Sequence, residues 1–158
     1  MSVGGHPSVE RTNALLASAG LPGRVRILPA AAPTAQAAAD QIGCAVGAIA
    51  NSLVFTTGAG APLLVMTSGA HRVDTAALAE RLGTTIKRAS ADFVREHTSQ
   101  PIGGVAPVGH PRPLRTVVDV DLAAYEELWA AGGIPHAVFP LTYAELVALT
   151  GGEELPVA

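Results

Sequence analysis

The chain contains little of several residue types, and each shortage excludes a class of protein. It has a single cysteine, Cys44, among 158 residues, so an internal disulfide is impossible and a reducing compartment is expected. No apolar run approaches the roughly 20 residues that a membrane-spanning helix needs. The N-terminus has neither a basic start nor an apolar stretch, so we expect no signal peptide and a cytoplasmic location.

Charged and aromatic residues are also scarce. Aromatic residues make up 4% of the chain and charged residues 15%, while 49% of the residues are apolar, so alanine and valine must form much of a folded core. The net charge of −3 argues against a broad phosphate-binding surface but leaves room for one local basic patch. The length predicts a single domain over 1–158 with an N-terminal helix over about 7–19.

Periodic patterns and turn signals predict a mixed α/β (α+β) domain around a partly antiparallel sheet. A strand over 45–56, the turn TGAGAP and a strand over 62–68 form a hairpin. A long amphipathic helix is predicted over 121–133 with Asp121 as its cap, before a last strand at 136–140. Four further helices should begin after the capping residues Thr34, Asp74, Ser90 and Thr142.

The stretch TSQPIGGVAPVGHP, over 98–111, holds three glycines and three prolines and cannot form a helix. Its segment 103–107 could present consecutive backbone N–H groups to a ligand oxygen, with Gly103 and Gly104 keeping side chains out of the way. Such preorganised donors stabilise the oxyanion that develops in ester hydrolysis. The alternative is a surface crossover, in which glycine and proline only make turns.

Asn51 and Ser52 interrupt the apolar strand AIANSLVF. At least one of the two side chains should point inward, and a buried polar group without a partner costs about 1–3 kcal/mol. Two interpretations stay open, because either the neighbouring backbone satisfies this side chain or the side chain is held toward a ligand.

Other motifs exclude common catalytic machineries. No G-x-S-x-G elbow and no Walker lysine are present, which sets aside a triad hydrolase and a P-loop enzyme. The histidines lack metal-ligand spacing, so no zinc site is predicted. His110 and His136 lie in glycine-proline contexts where an imidazole could face a pocket, although most such histidines are surface residues. The five histidines are His6, His71, His97, His110 and His136.

Four segments occur in the order typical of one family: IANSLVF, PLLVMTSGAHRVD, REHTSQPIGGVAPVGH and AAGGIPHAVFPLTYAELVALTG. The sequence thereby resembles the YbaK-like aminoacyl-tRNA editing domains, which are relatives of the editing insertion of bacterial prolyl-tRNA synthetase. The likeness covers about 25–151, the core of the domain. Its most specific element is the G-x-x-P sequence GVAP at 104–107, preceded by Gly103.

The resemblance implies a curved, barrel-like sheet flanked by helices. It implies hydrolysis of the ester between a small, wrong amino acid and the 3′-terminal adenosine of a tRNA, typically tRNA for proline, without metal, cofactor or protein nucleophile. The implied partners are the tRNA acceptor end and prolyl-tRNA synthetase, with no membrane. The implied catalytic residues are Asn51, Gly103 and Gly104, and the implied substrate-binding residues are Ser52, Ile102, Val105, Pro107, His110, His136 and Arg72.

Asn51 departs from the family pattern, because many members carry a lysine there and the only lysine of this chain is Lys87. Asparagine can hydrogen-bond to a ribose hydroxyl or a carbonyl but brings no charge. Arg72 or His136 is the candidate for a compensating charge. The open alternatives are a deacylase that uses neutral hydrogen bonds, a weakened module that binds aminoacyl-adenosine-like ligands or a protein partner, and a small esterase of a free metabolite.

The net charge also bears on the expected contact with tRNA. Because nucleic-acid affinity comes mostly from phosphate neutralisation, we expect weak, salt-sensitive contact limited to the acceptor end. The expected contact residues are Arg24, Arg26, Arg72 and Arg112. The expected walls of the amino-acid pocket are Leu53, Val65, Ile102 and Phe139.

Overall fold

Five helices and eight strands follow one another irregularly in the computed structural model, which describes residues 6–22, 24–32 and 34–158. The helices are α1 (Pro7–Ser18), α2 (Ala35–Ile42), α3 (Thr75–Leu82), α4 (Ala91–Thr98) and α5 (Tyr143–Thr150). The strands are β1 (Arg26–Ile27), β2 (Ile49–Thr57), β3 (Pro62–Ser68), β4 (Ile86–Arg88), β5 (Arg115–Asp119), β6 (Leu128–Ala131), β7 (Ala137–Leu141) and β8 (Glu153–Leu155). Within these ranges, no helix is long and apolar enough to cross a membrane.

Four of the five predicted helix caps are confirmed, because each of these capping oxygens accepts a hydrogen bond from the backbone N–H three residues further on. Thr142 and Glu145 form the reciprocal capping box that their spacing indicates. The capping residues are Thr34, Asp74, Ser90 and Thr142.

One mixed sheet holds all eight strands in the order β1-β7-β6-β2-β3-β5-β8, with β4 paired to β2. The predicted hairpin is confirmed, since β2 and β3 are antiparallel over seven paired positions. Three other pairs are parallel, namely β2 with β6, β3 with β5 and β5 with β8. The predicted mixed α/β class with a partly antiparallel sheet is therefore confirmed.

On one of its two edges, strand β2 is paired with other strands along only part of its length. Its residues Ile49 and Ala50 pair with β6, and pairing resumes only at Phe55, opposite β4. The segment 51–54 therefore has no strand beside it on this edge of the sheet. We call this interruption the β2 gap. Asn51 and Ser52 lie in it.

The predicted helix over 121–133 is wrong. A short 3-10 helix spans Val120–Ala124, and β6 follows at Leu128–Ala131. The side chains of Leu128 and Trp129 are both buried, as are those of a strand covered on both faces, and β6 pairs with β2 and β7. This pairing overrides the helix propensity of the local sequence. The sequence analysis also missed β8.

Asp121 does not cap a helix, because Asp119 performs that role at the end of β5. The Asp119 side chain is 1% exposed. Its Oδ1 accepts from the N–H of Asp121 at 3.0 Å, and its Oδ2 accepts from the N–H of Ser68 at 3.0 Å. Its Oδ2 also lies 2.9 Å from Nδ1 of His71. This one carboxylate therefore connects β5, β3 and the segment after β3.

Asp119→Asn should lower the free energy of unfolding by about 1.5–3 kcal/mol, because an amide NH2 would replace one oxygen that accepts hydrogen bonds in a buried site. Urea denaturation measures the change. The control is Asp121→Asn, whose exposed carboxylate should contribute less than about 0.5 kcal/mol. Equal losses in the two variants would contradict this role of Asp119.

Candidate functional site

Three cavities share Asn51 at the β2 gap. The alanine-lined cavity has a volume of about 100 Å³, and seven of its sixteen lining residues are alanine. The loop cavity, of about 280 Å³, lies between segment 51–54 and residues 102, 103 and 105 of the loop. The arginine cavity, of about 480 Å³, contains Arg72 and Arg88. Among the residues that the structure describes, Asn51 alone is common to all three linings.

The loop between α4 and β5 is held over the gap by a buried glutamine. Gln100 is 6% exposed, and its Oε1 accepts from the N–H of Ala106 at 2.6 Å. Its Nε2 donates to the carbonyl of Val108 at 3.0 Å. A turn bond from the N–H of Gly104 to the carbonyl of Pro101, 3.0 Å long, closes the first half of the loop.

These bonds narrow the expected row of N–H donors to two. The N–H groups of Gly104 and Ala106 are used inside the loop. Those of Gly103 and Val105 have no hydrogen-bond partner among residues 6–22, 24–32 and 34–158. Both residues line the alanine-lined cavity and the loop cavity. Two alternate amides therefore belong to residues that face the same two cavities.

Gly103 and Gly104 are each required to be glycine, for different physical reasons. Gly103 has φ +83°, a left-handed conformation that favours glycine, and open space lies where a Cβ would be. At Gly104 a Cβ would lie 2.6 Å from the carbonyl carbon of Ile134. Gly104 therefore allows the loop to pack closely on the backbone before β7.

Asn51 and Ser52 point to opposite faces of β2, as successive strand residues do. The hydroxyl of the half-buried Ser52 donates to the sulfur of Met66 at 3.2 Å, so it is the inward-pointing member of the pair. The Asn51 side chain is exposed and makes no hydrogen bond to the described part of the chain. Its amide is thus available to a ligand in any of the three cavities.

Two arginines give the third cavity a positive character. Arg88 ends β4, and its guanidinium lies 5.9 Å from the ring centre of Phe55. Neither Arg72 nor Arg88 forms an ion pair with a carboxylate of the described residues. The described residues lining this cavity include no aspartate or glutamate.

A histidine and two aspartates form a cluster beside the arginine cavity. His71 approaches Asp119 through Nδ1 at 2.9 Å and Asp121 through Nε2 at 3.3 Å. In the described ranges these are the side chains grouped closely enough to hold a metal ion, with ligand atoms within 4.8 Å of one another. The bonds of Asp119 to backbone N–H groups give the cluster a structural role, which positions His71 at the cavity wall.

Three of the expected substrate-binding residues lie outside the linings of the cavities that share Asn51. Pro107 is buried, and His136 flanks the alanine-lined cavity between Pro135 and Ala137. His110 supports the loop, since its Nε2 lies 2.8 Å from the carbonyl of Ala106 and donates to it when protonated. Ser52, Ile102, Val105 and Arg72 do line these cavities.

Of the expected pocket walls, Leu53 and Ile102 line the loop cavity. Val65 and Phe139 have no exposed surface and belong to two separate core clusters, so these two assignments are wrong. The sequence analysis missed Gln100, Arg88 and Trp129. A glutamine that precedes a glycine-proline loop is a signal that could have indicated Gln100.

Fold and loop together define the class of protein. The profile described as "Aminoacyl-tRNA editing domain" matches residues 29–149, so the chain belongs to the aminoacyl-tRNA editing domain family. The YbaK-like resemblance inferred from the ordered segments is confirmed.

Solved structures and a curated sequence are similar to this chain. The crystal structure of a proposed trans-editing enzyme for prolyl-tRNA synthetase has TM-score 0.90 and 41% identity, covering 96% of each chain. The crystal structure of hypothetical protein APE2540 has TM-score 0.85 and 28% identity, covering 93% of this chain and 98% of that one. The uncharacterized protein YwhH of Bacillus subtilis (strain 168) is 29% identical over 113 residues, 72% of either chain.

The pH dependence of stability should report the contact between His110 and the loop. Burial holds the pKa of His110 below its ordinary value of 6.5, with a smaller contribution from Arg11. The unfolded chain therefore takes up the proton more readily, so this contribution to stability is complete above about pH 6.5 and is lost as the pH falls.

His110→Gln should lose less unfolding free energy than the unmodified chain when the pH falls from about 7.5 to about 5.5, a range that spans the unfolded pKa. Urea denaturation at the two pH values measures the difference. Equal losses in both proteins would mean that His110 is not buried as described.

Proposed function

We propose that the protein is a trans-acting aminoacyl-tRNA deacylase. It hydrolyses the ester that joins a small, wrong amino acid to the 3′-terminal adenosine of a tRNA, with tRNA for proline as the first candidate. Such an enzyme would act in the cytoplasm, beside prolyl-tRNA synthetase, and would serve translation fidelity. The supporting observation is that Gly103 and Val105, whose N–H groups have no hydrogen-bond partner in the described part of the chain, line the same two cavities.

The two cavities suit the two ends of the ester. The alanine-lined cavity of about 100 Å³ holds only about three groups the size of a water molecule, each of about 30 Å³, which selects a small acyl group. The loop cavity, on the other side of Asn51 and Ser52, is larger and takes the ribose and the base. The ester carbonyl then lies between them, beside the loop.

The chemistry needs one water molecule. Its oxygen attacks the carbonyl carbon, and the negative charge that develops on the carbonyl oxygen is stabilised by the N–H groups of Gly103 and Val105. One donor of this kind contributes about 2.7–4 kcal/mol to lowering a barrier. The bond between the carbonyl carbon and the ribose oxygen then breaks, and a proton lost by the attacking water passes to that ribose oxygen. Asn51 hydrogen-bonds to the ribose hydroxyl or to the carbonyl.

We further propose that the reaction uses neither a protein nucleophile nor a metal. The Ser52 hydroxyl is directed to the sulfur of Met66, and no described histidine or carboxylate lines the cavity with it to act as its base. In the described ranges, the alanine-lined and loop cavities have no histidine, cysteine, aspartate or glutamate in their linings, the side chains that hold catalytic zinc.

A second candidate function is a binding module that no longer hydrolyses the ester. Asn51 favours it, because an uncharged amide replaces the lysine that the resemblance places at this position. Such a module would bind aminoacyl-adenosine-like ligands or a protein partner and release no amino acid.

A deacylation screen with the purified chain and a panel of mischarged tRNAs tests the first proposal. We expect release of small amino acids such as alanine or serine and little release of larger ones. Asn51→Ala should reduce the rate and Asn51→Lys should keep or raise it. If no tRNA is deacylated by any of these proteins while a nonhydrolysable aminoacyl-adenosine still binds, the module is correct and the deacylase is not.

Two glycine variants distinguish the effect of loop geometry on the deacylation rate from the effect of overall stability. Gly103→Ala and Gly60→Ala, the second in the β2–β3 turn with φ +80°, both place a Cβ in open space in the left-handed region. Each should therefore lose about 1–2 kcal/mol of unfolding free energy. Only Gly103→Ala should also slow deacylation, by about tenfold or more, because it shifts an oxyanion donor. Equal rates in the two variants would remove the loop amides from the mechanism.

A further inference from the structure

We propose that Arg88 binds the phosphate on the 5′ side of the terminal adenosine and so supplies the positive charge of a site whose Asn51 is neutral. The inference rests on the proposed function. Arg88 thereby takes the role of compensating charge for which the sequence indicated Arg72 or His136.

The position of Arg88 carries the inference. Asn51, Leu53 and Arg88 line both the loop cavity and the arginine cavity, and Arg88 is the one cation of the three. When the terminal nucleoside lies in the loop cavity, with its ester at the loop amides, the strand on its 5′ side therefore continues toward the arginine cavity and passes this guanidinium. The next nucleotide along the strand would then lie near Arg72.

The electrostatic surroundings leave Arg88 free for an anion. It has no carboxylate partner within the described chain, and its guanidinium carbon lies 5.9 Å from the ring centre of Phe55, the residue opposite it on β2. The described residues that line these two cavities carry no carboxylate either. Asp119 and Asp121, which contact the cavity-lining His71, are engaged with that histidine.

The chemistry matches a phosphate. A guanidinium presents a planar fork of N–H donors that binds two phosphate oxygens at once. The loop cavity, at about 280 Å³, is close to the lower end of the roughly 300–1,000 Å³ range of small-molecule sites. A nucleoside monophosphate and the 3′ end of a nucleic acid share this chemistry, so the test must distinguish them.

The test compares binding of adenosine, adenosine 5′-monophosphate and the trinucleotide CCA to three proteins by calorimetry at low salt. The unmodified chain should bind the monophosphate more tightly than adenosine, and Arg88→Gln should abolish this preference, a loss of about tenfold to hundredfold in Kd. The control is Lys87→Gln, which removes one charge from the same strand but lies outside these cavities. It should change each Kd less than about twofold.

The salt dependence identifies the natural source of the phosphate. For CCA, the slope of log K against log salt should fall by about 0.7 in Arg88→Gln and stay constant in Lys87→Gln. Arg72→Gln should weaken the binding of CCA but not the binding of the monophosphate. The contrary result has three parts: Arg72→Gln does not change the Kd of CCA, Arg88→Gln does not change the salt slope for CCA, and binding of the monophosphate still requires Arg88. In that case the site takes a free nucleotide, and the assignment to the tRNA end is wrong.

Three outcomes separate this inference from the proposed function. If Arg88→Gln keeps its thermal stability and binds the monophosphate and CCA as tightly as the unmodified chain, the inference fails, whatever the deacylation screen shows. Failure of the unmodified chain to prefer the monophosphate over adenosine also overturns it. Phosphate binding that depends on Arg88 in a chain that releases no amino acid would uphold the inference and refute the deacylase. If Arg88→Gln proves destabilised, Arg88→Lys replaces it in the test. Because this variant keeps the charge, it should bind the monophosphate more tightly than Arg88→Gln and less tightly than the unmodified chain.

Discussion

Strand β2 pairs with β3 along most of its length, but on the opposite edge β6 stops at Ala50 and β4 starts at Phe55. An unpaired strand edge has backbone groups that need partners, and here a loop rather than a strand covers it. The loop is held by Gln100 and by the close contact of Gly104 with Ile134. Asn51, which lies in this gap, lines all three cavities, and Gly103 and Val105 of the loop line two of them.

Local signals in the sequence predicted the parts of the fold that depend on local interactions. Four of the five predicted helix caps, the hairpin and the capping box at Thr142 involve residues a few positions apart, and these were confirmed. The helix predicted over 121–133 was wrong because Leu128 and Trp129 are buried by pairing with β2 and β7, which is a nonlocal effect. Strand β8 was missed for the same reason, since its pairing with β5 decides its structure.

In the candidate site, too, the features that depend on local sequence could be predicted and those that depend on nonlocal contacts could not. Local sequence context singled out the loop and the pair Asn51 and Ser52, the family resemblance singled out Asn51, and both members of the pair line the same two cavities as the loop. Which N–H groups of the loop are unpaired could not be predicted, because Gln100 takes the one on Ala106 and a turn takes the one on Gly104. Arg88 was missed because β4 reaches the gap only through its pairing with the end of β2.

In the proposed mechanism, neutral and charged groups have separate tasks. Asn51 and the amides of Gly103 and Val105 surround the ester with dipoles, whereas the backbone of Arg88 is paired with Phe55, four residues further along β2. An exposed charge that binds the phosphate and not the ester contributes little to the transition state, since its interaction with the ester is weakened by the dielectric and by salt. The charge therefore acts on binding of the tRNA end, while the fixed dipoles act on the reaction step.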